Sequence, residues 1–359
     1  MLVQSMWKDR LSFSCLDGKS SEVIIKYIET LKAMGCGLLR FAVPSIEDAE
    51  IIGELASRVS MPFCADIHFD YKIALRCLDF PIAKLRINPG NIGKQERVEK
   101  IISKAAAGNI SIRIGVNSGS LPQKQKDKLK EKPHSEIDRA EALVNAALDQ
   151  LEIFKQLGYT NAIVSMKASG ITDTILANRL FRQRSDVPLH IGVTEAGPLI
   201  SGIIRSCAAL VPLLADGIGD TIRVSLSDTI ENEIIAGKAI CNAAAELARL
   251  AGNTGMTARL KQGGIKLISC PRCGRYGFDT IAFTERWKTR FEMLKNDCTI
   301  AVMGCEVNGP EEAKNADLGI TGSGNSVIIF KQGRIIKRFE AKNNNEIDLI
   351  FEKELDTLC

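Results

Sequence analysis

Eight short apolar runs, with amphipathic stretches of helical period between them, recur through the first 226 residues and leave this chain few ways to fold. The runs are Leu2 to Met6, Gly37 to Val43, Phe63 to Ile67, Ala83 to Ile87, Ser111 to Val116, Ala162 to Met166, Leu189 to Val193 and Asp220 to Leu226. Near-continuous apolar character over so few residues is what parallel strands covered on both faces require. The intervening stretches include Glu22 to Met34, Ile46 to Val59, Arg139 to Leu157 and Asp228 to Leu250, with Ser21, Ser45 and Asp228 as the expected caps. Eight strand–helix units predict an α/β fold, a (β/α)8 TIM barrel, with its site at the C-terminal ends of the strands.

A chain of 359 residues exceeds one such core, so a second domain is expected. The barrel should occupy residues 1–252. The segment from Gly252 to Gly264 carries four glycines and no periodicity, and 253–264 reads as a linker. A smaller α+β domain over 265–359 should follow, with strands Ile265 to Ser269, Thr299 to Met303, Leu318 to Thr321, Val327 to Phe330 and Ile335 to Phe339, closed by a helix from Glu346 to Leu355.

Net charge is only +4 and aromatic residues are 5%, which argues against a nucleic-acid partner. Eleven cysteines, no signal-like start and no long apolar run point to a cytoplasmic, reducing setting with no disulfides and no membrane span. Cys15, Cys36, Cys64, Cys77, Cys207, Cys241 and Cys359 lack ligand spacing and read as packing residues or bystanders. The tract 122–133, five lysines against two acids between prolines, reads as a solvated rim that can also steer anions.

Basic residues interrupt five of the apolar runs: Arg40, Arg86, Arg113, Lys167 and Arg223. A buried cation without a partner costs several kcal/mol, so five on five strands need a shared reason. Pointing inward at the barrel mouth, they would form one electropositive pocket for a multivalent anion, and arginine forks suit the oxygens of a diphosphate. The turn Asn88-Pro-Gly-Asn91 ahead of a helix from Gly93 to Ala107 can add backbone N–H groups. Asp66, His68, Asn117, Ser169, Glu195 and Ser225 fall at the same strand ends and become candidates by position. Glu195 among cations suits either a proton donor or a group that holds the arginines. His190, at the start of its run, reads as a satisfied core histidine near the barrel floor.

Cys270-Pro-Arg-Cys273 and, after 31 residues, Cys305 supply three thiolates, with carboxylates following in Gly-Pro-Glu-Glu312. Iron–sulfur and structural zinc sites ordinarily take four cysteines. Cys298 would complete such a set as C-x2-C-x24-C-x6-C, although its setting in Asp-Cys-Thr-Ile-Ala-Val-Met also reads as strand packing. Gly217-Ile-Gly219 precedes a strand and opens no helix, so it is no Rossmann fingerprint, and no P-loop or serine elbow is present. Reducing electrons would have to come from a partner or through the metal site.

The chain resembles the bacterial 4-hydroxy-3-methylbut-2-enyl diphosphate synthases of the methylerythritol phosphate route to isoprenoids. The resemblance runs nearly end to end. It is carried by Val3-Gln-Ser-Met6, Ala65-Asp-Ile-His-Phe-Asp70, Leu85-Arg-Ile-Asn-Pro-Gly-Asn-Ile-Gly93, Arg113-Ile-Gly-Val-Asn117, Thr194-Glu-Ala-Gly197, Gly217-Ile-Gly-Asp-Thr-Ile-Arg-Val-Ser225, Cys270-Pro-Arg-Cys273 and Gly304-Cys-Glu-Val-Asn-Gly-Pro310. It implies an iron–sulfur oxidoreductase with one 4Fe-4S cluster on Cys270, Cys273, Cys305 and Glu312, the last as the replaceable ligand. The implied reaction is reductive ring opening and dehydroxylation of 2-C-methyl-D-erythritol 2,4-cyclodiphosphate. The cyclic diphosphate would be held by Arg40, Arg86, Arg113, Lys167 and Arg223, with Asn88, Asn117 and Ser225 assisting and Glu195 supplying protons. Flavodoxin or ferredoxin would deliver the electrons, and a head-to-tail homodimer is implied.

Three departures from the family pattern stand out. The family usually carries further residues ahead of the Val-Gln-Ser-Met strand, and a chain without them is expected to lose packing under the barrel. The usual Thr-Asn-Thr after that strand is Trp7-Lys8-Asp9, which alters what the first strand offers the pocket. The glycine usually found before the ligand glutamate is Glu311, which stiffens the loop and sets two carboxylates side by side. Alternatives to the synthase are a cluster-carrying paralogue without this activity and a zinc-ribbon barrel acting on a phosphate ester.

Overall fold

The eight apolar runs become eight parallel strands in a computed structural model of the chain, which describes residues 1–130, 135–306, 309–323 and 325–358. They are β1 (Leu2–Met6), β2 (Cys36–Ala42), β3 (Phe63–Asp66), β4 (Lys84–Ile87), β5 (Ser111–Asn117), β6 (Ala162–Lys167), β7 (His190–Ile191) and β8 (Thr221–Ile222). Their order is β6-β5-β4-β3-β2-β1-β8-β7, and a bridge between Val164 and Leu189 joins the two ends into a barrel. The last two ladders are short, yet the chain stays close beyond them, with Arg223 N donating to Ile191 O at 3.1 Å.

Strand alternation separates two kinds of residue. On β4 and β5, Leu85, Ile87, Ile112 and Ile114 are fully buried on the outer face of the wall, whereas Arg86 and Arg113 take the opposite, inner face. Each aliphatic side chain buried in this way contributes about 1.5–3 kcal/mol, and the sum over the wall offsets the cost of an inner surface rich in charge. Trp7 belongs to the packed side as well, stacked on Phe41 at 5.6 Å and edge-on to Tyr27.

Helix starts follow their caps. Ser45 accepts from Asp48 N at 3.1 Å ahead of Ile46–Arg58. Ser21 is not a cap: the helix begins earlier, as Gly18–Ala33, and Ser21 lies buried inside it, accepting from Arg58 NH1. Asp228 is displaced by Thr229, whose hydroxyl accepts from Asn232 N ahead of Ile230–Leu250. A capping box of Ser135 and Asp138 starts the helix Glu136–Gln156, ahead of the expected Arg139. Asn88 caps a short helical turn, Pro89–Ile92, and the helix proper is Gln95–Ala107. Within the lysine tract, Gln123–Lys130 is helical and 131–133 lie outside the described residues.

Contacts divide the chain into Met1–Gln262 and Gly263–Cys359. Most of the segment read as a linker therefore sits with the first unit, where Thr254–Leu260 is helical, capped by Asn253.

The second unit is a mixed sheet in the order β13-β12-β11-β10-β9, from β9 (Ile265–Ser269), β10 (Cys298–Val302), β11 (Leu318–Ser323), β12 (Ser326–Lys331) and β13 (Arg334–Glu340). Two helices cover it, Asn344–Leu355 and Thr280–Met293, the second not foreseen from the sequence. Phe283, Trp287 and Phe291 recur every fourth residue along Thr280–Met293 and pack with Phe351, Phe283 edge-on at 5.1 Å. Among the described residues no helix is long and apolar enough to cross a membrane.

Candidate active site

Register sets the charged residues beside one another before any ligand is considered. Asp66, Arg86 and Arg113 are direct neighbours across β3, β4 and β5, and Asn117 faces Lys167 across β5 and β6. At the strand ends of the first unit a cavity of about 190 Å³ is lined by all five strand cations, together with His68, Gly115, Asn117, Ser165, Val193, Thr194, Glu195 and Ser225. The basic residues in or just after five separate strands thus line one space.

Asp66 anchors two of them. Its carboxylate accepts from Arg86 NH1 at 3.0 Å and pairs with Arg40, and His68 Nε2 lies 3.1 Å away. Burial alone would raise the Asp66 carboxyl, but Arg40, His68 and Arg86 outweigh it and hold the group far below the usual carboxylate range. Asp66 is therefore a fixed counter-ion beneath the cavity and not part of its lining.

Arg113 is 2% exposed and donates to Gln4 Oε1 at 3.1 Å across the barrel. Burial pulls its guanidinium below the ordinary value, and Arg40 and Arg86 add to the effect. Lys167 is pushed well below its usual value by burial and by Arg113 and Arg223. Its Nζ lies 3.2 Å from His190 Nε2, and His190 Nδ1 lies 2.7 Å from Thr221 Oγ1. Burial and the neighbouring cations keep His190 neutral, so it accepts from Lys167 and donates to Thr221. The core histidine expected from the sequence thus positions a cavity lysine.

Two glycines create the room these side chains occupy. A Cβ on Gly115 would stand 2.4 Å from Arg86 Nε, and one on Gly192 would meet Arg223 O at 2.5 Å and Lys167 Nζ at 3.0 Å. Glu195, on the lip, holds a left-handed backbone with φ of 53°, a conformation that costs a non-glycine residue about 1 kcal/mol or more. Asn88 and Ser169 do not line the cavity: the Asn88 side chain accepts from Gly90 N at 3.2 Å, and Ser169 is exposed. Position at a strand end was readable, but the direction of the following turn was not.

Sequence reasoning also passed over Lys84 and Glu233. Lys84 opens β4 on the same face as Arg86, and burial lowers its pKa. Glu233, 1% exposed, accepts from Ser5 Oγ at 2.5 Å and from Leu226 N at 3.1 Å and lies 3.7 Å from Arg223 NH2.

In the second unit, Cys270 follows β9 and Cys305 closely follows β10. Cys270 N donates to Val302 O at 2.9 Å, and Thr280 Oγ1 donates to Cys270 O at 3.0 Å. Between Cys270 and Cys273, Arg272 takes a left-handed φ of 70°, paired with Asp279 at 3.0 Å and laid over Tyr276 at 4.1 Å. A Cβ on Gly304 would stand 3.5 Å from Cys270 Sγ, so the glycine before Cys305 leaves space beside that thiol. Glu311 and Glu312 end the short turn Gly309–Glu312, both exposed. Ala313, the next residue, packs in the small apolar group that Cys270 touches. Glu306 is committed elsewhere, to Arg338 and Ser323. Val307 and Asn308 lie outside the described residues. Among the described residues no three His, Cys, Asp or Glu side chains gather as closely as a single ion requires; a four-iron cluster takes its thiolates one to an iron.

Two family models match the chain, the GcpE TIM-barrel domain over residues 1–238 and the GcpE protein C-terminal domain over residues 266–354. The chain is 48% identical to the 4-hydroxy-3-methylbut-2-en-1-yl diphosphate synthase (flavodoxin) of Treponema denticola, a match covering 100% of this chain and 93% of that protein. It is 46% identical to the protein of the same name from Treponema pallidum, over 99% of this chain and 86% of that one. With the Geobacter sulfurreducens protein, also of that name, identity is 42% over 90% of this chain and 86% of that one.

Proposed function

The chain belongs to the GcpE family, and from that membership we infer that it is an iron–sulfur oxidoreductase making 4-hydroxy-3-methylbut-2-enyl diphosphate for isoprenoid biosynthesis. The reaction is the reductive ring opening and dehydroxylation of 2-C-methyl-D-erythritol 2,4-cyclodiphosphate. The observation that carries this reading is the single cavity lined by Arg40, Arg86, Arg113, Lys167 and Arg223. Asp66 already balances part of the charge of the five cations, and a diphosphate meets much of the remainder with oxygens that match the guanidinium fork.

The roles proposed for individual residues follow from their surroundings. Arg40 and Arg86, held by Asp66, form a preset clamp that needs little reorganisation when the anion arrives. Arg113 and Lys167 close the inner end of the cavity, Lys167 aimed by neutral His190. Arg223 completes the ring, with Asn117 and Ser225 adding neutral polar contacts. Glu195 is proposed as the proton donor, since this exposed residue lines the cavity from a left-handed backbone. His68, half exposed at the lip, is proposed to meet the polyol portion of the substrate.

Cys270, Cys273, Cys305 and Glu312 are proposed to hold a 4Fe-4S cluster. Three thiols, the space left beside Cys270 by Gly304 and a carboxylate one residue from the group Cys270 packs on suit such a cluster. When bound, the cluster supplies the two reducing electrons singly. Flavodoxin is the proposed donor, as in the names of the relatives. A head-to-tail homodimer in the cytoplasm completes the proposal, the compartment supported by the abundance of free thiols.

Anaerobic purification with iron and sulfide analysis, followed by dithionite reduction with the cyclic diphosphate, tests this directly. Bound iron and sulfide with formation of the allylic diphosphate are expected; a cluster-loaded protein that leaves the substrate unchanged would overturn the reading.

A further inference from the structure

Glu233 is the second buried carboxylate at the cavity, and its oxygens are already well supplied. Ser5 Oγ and Leu226 N donate to it, and Lys8 Nζ reaches Oε1 at 3.1 Å. The Lys8 ammonium is pinned further by Leu226 O at 2.9 Å and by Asp228 O, so three acceptors fix one flexible side chain. Arg223 NH2, by contrast, stands 3.7 Å from the same Oε1, too far for a hydrogen bond of full strength, and Arg223 Nε has no partner. Glu233 thus takes its closer ion pair from Lys8, on the segment after β1, and holds the guanidinium that lines the cavity only loosely.

We propose that Lys8 is a positioning residue for the diphosphate site: by occupying Glu233, it keeps Arg223 available to the anion. The argument rests on reading the cavity as that site. Without Lys8, the nearest cation to a buried carboxylate is Arg223, and a shift of well under 1 Å would close their 3.7 Å gap. An arriving anion would then have to break an ion pair tighter than the native 3.7 Å one.

Inorganic pyrophosphate binding to the full-length, anaerobically reconstituted protein tests this by calorimetry, with steady-state kinetics alongside. Lys8→Met should bind pyrophosphate about tenfold more weakly, the loss of one charge-assisted hydrogen bond, and should raise KM with little change in kcat. Lys8→Arg should bind as the native protein does. The decisive variant is Lys8→Met with Glu233→Gln, in which the competing charge is gone and affinity should return. Equal affinity in native protein and Lys8→Met would overturn the proposal, as would a double variant no better than Lys8→Met, which would make Lys8 a direct ligand. Native protein that fails to bind pyrophosphate would overturn the reading of the cavity and this inference with it.

Discussion

Asp66 and Arg86 are register neighbours on β3 and β4, and the arginine donates to the carboxylate at 3.0 Å. One backbone pairing therefore fixes both the cation and its counter-ion. Replacing the carboxylate by an amide leaves Arg40 and Arg86 facing Arg113 with nothing between. Asp66→Asn should lose about 3 kcal/mol of stability, the cost of breaking a buried pair. Added pyrophosphate should recover part of it, because a bound anion replaces the missing charge. Urea unfolding with and without pyrophosphate measures both effects.

The same carboxylate sets an acid limit. Its folded pKa is depressed, so its contribution is complete above the ordinary carboxylate range and is lost as pH falls through that range toward the folded value. In the native protein the urea midpoint should fall as pH drops below about 4. Asp66→Asn should show a shallower fall over the same interval.

Gly115→Ala should spare the fold and damage the cavity. The added methyl would stand 2.4 Å from Arg86 Nε and 2.8 Å from its NH2, and the guanidinium is the part that must give, straining its pair with Asp66. Pyrophosphate affinity should drop about tenfold, one displaced charge-assisted contact, while the thermal midpoint falls less than in Asp66→Asn. Unaltered affinity would show that Arg86 binds from another position.

Binding should also depend on pH through Lys167. Burial and neighbouring cations lower its pKa in the free protein, and a polyanion beside it raises that value. Between the two values, binding takes up a proton, so affinity falls as pH rises. Calorimetry in buffers of different ionisation enthalpy should register the uptake, and Lys167→Met should lose this part of it.

At the cysteines, Cys270→Ser should lose iron. Glu312→Ala should retain most of it while turnover collapses, and Cys298→Ala should change neither, since Cys298 packs against the core of the second unit. Iron analysis on matched anaerobic preparations separates these outcomes. Iron lost only in the Cys298 variant would reassign the fourth ligand.

The five strand cations were legible because a charge inside an apolar run has no route to water and must be compensated within the fold. Glu233 was not, since it lies in the first turn of Ile230–Leu250 beside Glu231, where acids are expected on any helix. Lys84 escaped for a related reason, standing at the start of its strand where a lysine ordinarily snorkels to solvent. The aromatic stripe Phe283, Trp287, Phe291 carries a helical period that was passed over, although it marks a helix that covers the second sheet. Asn88 and Ser169 show the limit of arguing from position, because strand ends locate a residue while local turns decide where its side chain goes.

The barrel wall is thinnest along β7 and β8, two residues each, with the single Val164–Leu189 bridge beside them. Amide protons there should exchange with solvent sooner than those of β4 and β5. Lys167 ends β6 on one bank of this stretch, and Arg223 follows β8 on the other. A diphosphate gripped by both would act as a clasp across the weakest joint of the ring, so that the empty barrel breathes on this side and the filled one is held shut by its own substrate.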